Sequence, residues 1–285
     1  MKAQDTDFSQ KVARIFRSNA EVQIMGILNI TPDSFYDGGS YLQEQEWLNQ
    51  TQKMVDEGAD IIDIGGQSTR PNSTVVSSDE ETKRLIPVVV SIRKHYPELL
   101  ISVDTFYASV AEQAVNAGAN IINDISGGTF DDAMFATIAR LDIPYIMMHN
   151  NGSIITMHDK DETKNIRADV ASFLETQIAK LKALGFTKII IDPGFGFGKT
   201  LEQNYELLTD FDYLKALPYP ILAGISRKSM ITKLLNIKAK DALNGTTALN
   251  MRCILAGAKL LRVHDVKEAK EVVTIARKLA HKNSA

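Results

Sequence analysis

Residues 116–128, NAGANIINDISGG, hold a complete structural unit in one short line of sequence. Gly118 follows a helical pattern, at the place where a left-handed stop costs a residue without Cβ little. Ile121 and Ile122 then open an apolar run without polar alternation, the mark of a strand buried on both faces. The run breaks off at Asn123 and Asp124. The same order recurs in EGADIIDIGG (57–66), ALGFTKIIIDPGFG (183–196) and LAGAKLLRVHDV (255–266), so the chain carries a weak internal repeat.

Scanning outward for that unit predicts strands at VQIMGILN (22–29), DIIDIG (60–65), LLISVD (99–104), NIINDI (120–125), PYIMMH (144–149), KIIIDPG (188–194), PILAGIS (220–226) and KLLRVH (259–264). Helical patterns lie between them at 45–57, 79–95, 108–117 and 168–184, and another at 267–282 closes the chain. Eight βα units in 285 residues predict a (β/α)8 TIM barrel, with a doubly wound open sheet as the alternative. No linker divides the chain. Residues 1–20 are expected to form a short N-terminal arm and 21–285 a single barrel domain.

Composition narrows the function classes. A net charge of −3 with no dense Lys/Arg cluster argues against nucleic acid as a partner. No run of about 18 apolar residues exists, so no membrane span is expected. The one cysteine, Cys253, cannot form an internal disulfide and fits a reducing cytoplasm. It sits in an apolar helical stretch and is read as a core residue.

In a barrel of this kind the site lies at the C-terminal ends of the strands. Those ends carry Asn29, Asp63, Asp104, Asn123 with Asp124, His149, Asp192, Ser226 with Lys228 just beyond, and Arg262 with His264. Polar residues there also cap following helices, but eight at one rim imply a shared pocket. Carboxylates and amides suit a flat heterocycle with amino and amide edges. Lys228, Arg262 and Arg70 suit an anion such as phosphate, and His264 could donate to the same anion or shuttle a proton. The expected ligand therefore has a nitrogen-rich ring at one end and a phosphate at the other. DPGFGFGKT (192–200) fails as a P-loop because Pro193 occupies the first glycine position. His149 and His158 lack a third metal ligand at a sensible spacing.

Taken in order, MGILNITPDSFYDGG, DIGGQSTRP, VDT, NDISGG, MMH, DPGFGFGKT, GISRKS and RVHDV resemble the motifs of the dihydropteroate synthases, from about Val22 to His264. NITPDSF and STRP separate that family from the pterin-binding methyltransferase barrels. A methyl transferase and a non-catalytic pterin-binding paralogue are the competing readings. The resemblance implies a transferase and sulfonamide target of folate biosynthesis. It would join 6-hydroxymethyl-7,8-dihydropterin pyrophosphate to p-aminobenzoate by an SN1-like substitution.

By similarity Asp104, Asn123, Met147, Asp192, Phe197, Gly224, Lys228 and Arg262 bind the pterin. Asn29, Arg70, Arg262 and His264 hold the pyrophosphate, with Asn29 also reaching Mg2+. Phe35, Thr69, Pro71 and Ser226 border p-aminobenzoate. Asp37, Arg70, Lys228, Arg262 and His264 serve the chemistry. The loops 31–39 and 68–71 resemble the family's mobile covers, and a homodimer is implied. Two departures stand out: Gln67 replaces the usual Glu, and NNGSIITMH follows MMH where a Met is usual after the His.

Overall fold

The apolar runs become strands that pair in parallel, in the order β6-β5-β4-β3-β2-β1-β8-β7. They are β1 (Gln23–Asn29), β2 (Ile61–Gly65), β3 (Leu100–Asp104), β4 (Ile121–Asp124), β5 (Tyr145–Met148), β6 (Ile189–Asp192), β7 (Leu222–Ala223) and β8 (Leu260–Val263). The computed structural model describes residues 3–17, 21–30, 40–67, 75–152, 156, 165–209 and 211–280. β1 pairs with both β2 and β8, so the chain's first and last strands are neighbours. A bridge between Ile191 and Ile221 brings β6 against β7, and the sheet comes round as a (β/α)8 barrel.

The outer ring consists of α2 (Ser40–Asp56), α3 (Ser78–His95), α4 (Ala108–Asn116), α5 (Met134–Leu141), α6 (Ile166–Ala183), α7 (Leu201–Thr209), α8 (Asp212–Lys215), α9 (Ser229–Leu235), α10 (Leu243–Ala256) and α11 (Val266–Ala280). Local chemistry sets their ends. Ser77 caps α3 by accepting the Glu80 N–H at 3.3 Å, with Asp79, Glu80 and Glu81 in the first turn and Arg93, Lys94 and His95 in the last. Gly257, at φ 109°, ends α10 as the LAGAK stretch predicts.

At the N-terminal end each strand contributes one aliphatic side chain to a single layer: Met25, Ile61, Leu100, Ile121, Ile146, Ile190, Leu222 and Leu260. The helix α1 (Ala3–Ile15) adds Ile15 from below, with Phe8, Val12 and Phe16 packed alongside. Burying each of these side chains contributes roughly 1.5–3 kcal/mol. The second, larger core lies between strands and helices and includes Cys253, whose thiol burial pushes up to about 12. That value suits the packing role read for it from sequence.

Candidate active site

Successive side chains on a strand face opposite ways, so steps of two stay inside the barrel. Two residues beyond the aliphatic layer, the even-numbered strands carry Asp63, Asn123, Asp192 and Arg262. Four residues beyond it on β1, β3, β7 and β8 come Asn29, Asp104, Ser226 and His264. Drawing one layer from alternate strands is the usual arrangement of such a barrel. Asp124 is one step out of phase and leaves the site. Its carboxylate accepts the Tyr145 hydroxyl at 2.5 Å and the N–H groups of Ser126 and Gly128, which shapes the turn after β4.

Arg262 is the centre of the layer. Its Nε donates to Asp63 Oδ2 at 2.6 Å and its terminal nitrogen to Asp104 Oδ2 at 2.9 Å. Asn123 Nδ2 donates to the same Asp63 oxygen at 3.1 Å. Asp63 is wholly buried and has a named place at a strand end, but sequence alone offered no role for it. Its partner Arg262 is 199 residues away, and only the closure of the barrel brings the two together. Burial raises the Arg262–Asp104 problem from the other side too: it would lower the guanidinium, and Asp63 and Asp104 together raise it. Asp104 is pushed up to about 7, first by burial, against the pull of Arg262 and with help from Asp63.

A cavity of about 330 Å3 opens above this layer. Arg262 and Gly224 come from the deeper layer, Asn29, Asp104, Ser226 and His264 from the layer beyond it, and Phe197 and Lys228 complete the wall. Ile27, Gln67, Gly196, Arg227 and Ser229 also line it, and none of these was given a role from sequence. GISRKS contained the signal for Arg227 and Ser229. Asp192 and Asn123 are buried beside or below the cavity wall rather than on it, whereas Met147, expected at the pterin, is one step out of phase with Ile146 and packs in the core between strands and helices; Met148 is the one that packs with Phe197. A Cβ added at Gly224 would come 3.9 Å from Asp192 Oδ2, so that carboxylate lies directly behind the wall. Burial raises Asp192, while Lys228, the Gly194 N–H at 2.7 Å and Lys199 oppose the rise.

The cations sit at the other end. Lys228 Nζ lies 4.6 Å from the centre of the Phe197 ring and donates to the Phe195 carbonyl at 2.5 Å. Burial takes its ammonium down to about 8, with Asp192 opposing. Arg227 adopts φ 57°, a left-handed conformation that lets Ser226 and Lys228 on either side of it both line the cavity. Its guanidinium is held by the Asp265 carboxylate and its N–H donates to Thr246 Oγ1 at 3.1 Å. His264 has an exposed outer edge, yet desolvation against the rim, then Arg262 and Arg227, hold its imidazole well below the usual range. Ser226 Oγ lies 3.0 Å from His264 Nδ1 and accepts the His264 backbone N–H at 3.2 Å.

The remaining expected site residues, Phe35, Asp37, Thr69, Arg70 and Pro71, lie outside the described residues, as do the loop positions 31–39 and 68–74. Gln67 stands at the edge of the second of these segments. Its Oε1 accepts the N–H of Val76 at 2.7 Å, and Tyr107 donates to the Val76 carbonyl at 2.9 Å. An amide in place of Glu keeps the acceptor this bond requires. His149 is fully buried, 3.3 Å from Asp169 Oδ2 but outside hydrogen-bonding geometry, and burial takes its imidazole down to about 4.

Comparison with known proteins places this geometry in context. The family model "Pterin binding enzyme" matches residues 25–264. The dihydropteroate synthase of Streptococcus pyogenes serotype M6 is 43% identical over 260 residues, covering 90% of this chain and 95% of that protein. The dihydropteroate synthase of Clostridium difficile, solved in the presence of pteroic acid, superposes with a TM-score of 0.87 at 40% identity, covering 93% and 98% of the two chains. The Xanthomonas albilineans dihydropteroate synthase with 4-aminobenzoic acid gives 0.85 at 36% identity, covering 91% and 93%.

Proposed function

The chain belongs to the dihydropteroate synthases, pterin-binding transferases of folate biosynthesis, and on that premise we propose how its rim carries out the reaction. The reaction joins 6-hydroxymethyl-7,8-dihydropterin pyrophosphate and p-aminobenzoate into 7,8-dihydropteroate and pyrophosphate. The observation that carries the proposal is the charge gradient along one cavity, from Asp104 in its wall and Asp63 and Asp192 just behind it, all three around Arg262, to Arg227, Lys228 and His264. A substrate with a donor-rich ring and an anionic tail fits that gradient in one direction only.

In this reading Asp192 accepts the 2-amino group and the neighbouring ring N–H as a bidentate pair. Asn123 and Asp104 complement the rest of the ring edge, with Phe197 and Gly224 against its faces; Met147 turns toward the helices, and Met148 packs with Phe197 instead. Arg262 stacks over the ring while its forked donors stay on Asp63 and Asp104. Lys228 reaches the ring from the cavity side. Asn29, Arg70, Arg262 and His264 hold the pyrophosphate, and Phe35, Thr69, Pro71 and Ser226 border p-aminobenzoate. Of these, Phe35, Thr69, Arg70 and Pro71 rest on the family resemblance alone.

Mg2+ belongs to the same proposal. Asn29 offers a neutral oxygen at the mouth, and among the described residues no group of three or more His, Cys, Asp or Glu could hold a metal ion. A single protein oxygen suits Mg2+, which is held largely by substrate phosphates and water. Bound there, the ion would offset negative charge on the leaving group.

The aniline nitrogen of p-aminobenzoate is neutral at pH 7, so no general base is needed to activate it. The difficult step is breaking the C–O bond at the pterin methylene, whose electron pair leaves with pyrophosphate. Electron donation from the reduced ring spreads the positive charge of the methylene, and Asp37 would face that charge. The nitrogen lone pair then forms the C–N bond and one N–H proton is lost. The residues named here act by orientation and by charge placed in advance, terms commonly worth several kcal/mol.

A cytoplasmic homodimer completes the proposal. Leu234 and Leu235 on α9, Leu243 and Leu255 on α10, and Ile275 and Leu279 on α11 offer exposed apolar surface for a second copy. The decisive experiment is pyrophosphate release from the pterin substrate, with and without p-aminobenzoate and Mg2+. Release that needs both supports the scheme; release indifferent to p-aminobenzoate overturns it.

A further inference from the structure

Behind the Asp192 wall lies a lysine to which neither the resemblance nor the scheme above gives a task. Lys199 is 7% exposed, follows Gly198 in the DPGFGFGKT stretch and does not line the cavity. A buried ammonium is retained only where it is paired and hydrogen-bonded. Here Nζ donates to the Gly194 carbonyl at 2.8 Å and to the Phe197 carbonyl at 3.0 Å. Those two carbonyls span the turn that leads from Asp192 to Phe197.

That turn has little other freedom. Gly194 (φ 70°) packs so closely that an added Cβ would lie 2.1 Å from the His149 carbonyl oxygen. The Gly196 N–H donates to Asn204 Oδ1 on α7 at 2.7 Å. The Asp192 carboxylate accepts the Gly194 N–H, and Lys228 takes the Phe195 carbonyl. Two ammonium groups thus hold three carbonyls of one short turn, Lys228 from the cavity and Lys199 from behind.

We propose that Lys199 is a positioning residue for the pterin end of the cavity: its ammonium fastens Gly194 to Phe197, and so sets the Asp192 carboxylate and the Phe197 ring against the substrate. The inference rests on the pterin reading of that end. Electrostatics agree with the geometry. The charged groups facing Lys199 are Asp192 on β6, Asp169 on α6 and Lys228 at the start of α9. Burial brings its ammonium down to about 7, with Asp192 opposing the fall and Lys228 adding to it.

Two variants test this, Lys199→Met, which keeps the stem without charge, and Lys199→Gln, which leaves a shorter neutral donor. Steady-state kinetics should show KM for dihydropterin pyrophosphate raised about tenfold, the loss of one charge-assisted hydrogen bond, with KM for p-aminobenzoate within about twofold. Calorimetric titration with the pterin substrate should show affinity lowered by about the same factor in both variants. Where Lys199→Met fails to fold, Lys199→Gln carries the test, and wild-type affinity in a folded variant overturns the proposal. Equal rises in both KM values, or variants that bind like wild type, overturn the role of Lys199 alone. Failure of the wild-type chain to bind the pterin substrate overturns the pterin reading itself, and this proposal with it.

Discussion

At the N-terminal end of the barrel every strand places one aliphatic side chain in the layer above α1. A few residues further along the same strands the inward positions carry Asp63, Asp104, Asn123, Asp192 and Arg262. The aliphatic layer gains from water exclusion with no pairing to satisfy. The polar layer loses hydration at every position and recovers it only through partners held by distant strands. Removing one member of the first leaves a void, whereas removing one member of the second leaves an uncompensated charge. The two ends should therefore respond to substitution in different ways, as well as by different amounts.

The largest effect is expected from Arg262→Ala. It strands Asp63 and Asp104, and breaking a buried ion pair typically costs about 3–5 kcal/mol. Urea unfolding should show the loss, and pyrophosphate release should fall to background. Stability retained within about 1 kcal/mol would mean that the carboxylates find another partner. Next comes Ile146→Ala in the aliphatic layer, at about 3 kcal/mol for a buried large-to-small change. Its folded fraction should keep kcat/KM within about twofold, because the site is remote. A matching loss of activity would dissolve the distinction between the two ends.

A third test uses pH. Glu81 on α3 is buried, donates nothing to the cavity, and accepts the Thr105 hydroxyl at 2.6 Å. Burial first of all takes its carboxyl from 4.5 up to about 7. The folded chain therefore keeps a proton that the unfolded chain releases between those values, and stability falls as pH rises through that window. The loss is roughly 3 kcal/mol, and Glu81→Gln should remove most of it in urea titrations on either side of the window. An unchanged pH profile would assign the decline to Asp104, which shifts the same way.

The smallest effect concerns backbone. Arg227 holds a left-handed conformation that Asp142 and Asn236 adopt where they end α5 and α9, an ordinary place for it. Arg227 ends no helix, and its strain lies in the cavity wall. Arg227→Gly should be more stable than Arg227→Ala by about 1 kcal/mol in paired unfolding curves, since both lose the Asp265 pair and only Gly relieves the strain.

The barrel was visible in the sequence because its signal is local. Each strand is a short β-branched run that follows a helix stop, and all eight appear where those runs fall. The helix α5 went unremarked, since MFATIARL is short and begins without a side-chain cap. Strand β7 forms a regular ladder only at Leu222 and Ala223, although PILAGIS suggests a longer strand. The strand-end residues were legible as a set because polar residues interrupt apolar runs. Their division of labour was not. Asn123 and Asp124 are neighbours in sequence, and only the phase of the strand sends one to Asp63 inside the barrel and the other to Tyr145. The Asp63–Arg262 contact joins the second strand to the last, a relation no local pattern contains.

The meeting of β6 and β7 has a consequence beyond architecture. Apart from the ladders that join the other strands, closure there depends on the Ile191–Ile221 bridge and the Ile191 N–H to the Pro220 carbonyl at 2.9 Å. This is the seam of the barrel, and its amide protons should exchange with solvent ahead of those in β1 to β4. Asp192 lies on one side of it and Ser226 and Lys228 on the other. A molecule gripped by both sides acts as a stitch, so recognition of the substrate also slows the breathing of the barrel that recognises it.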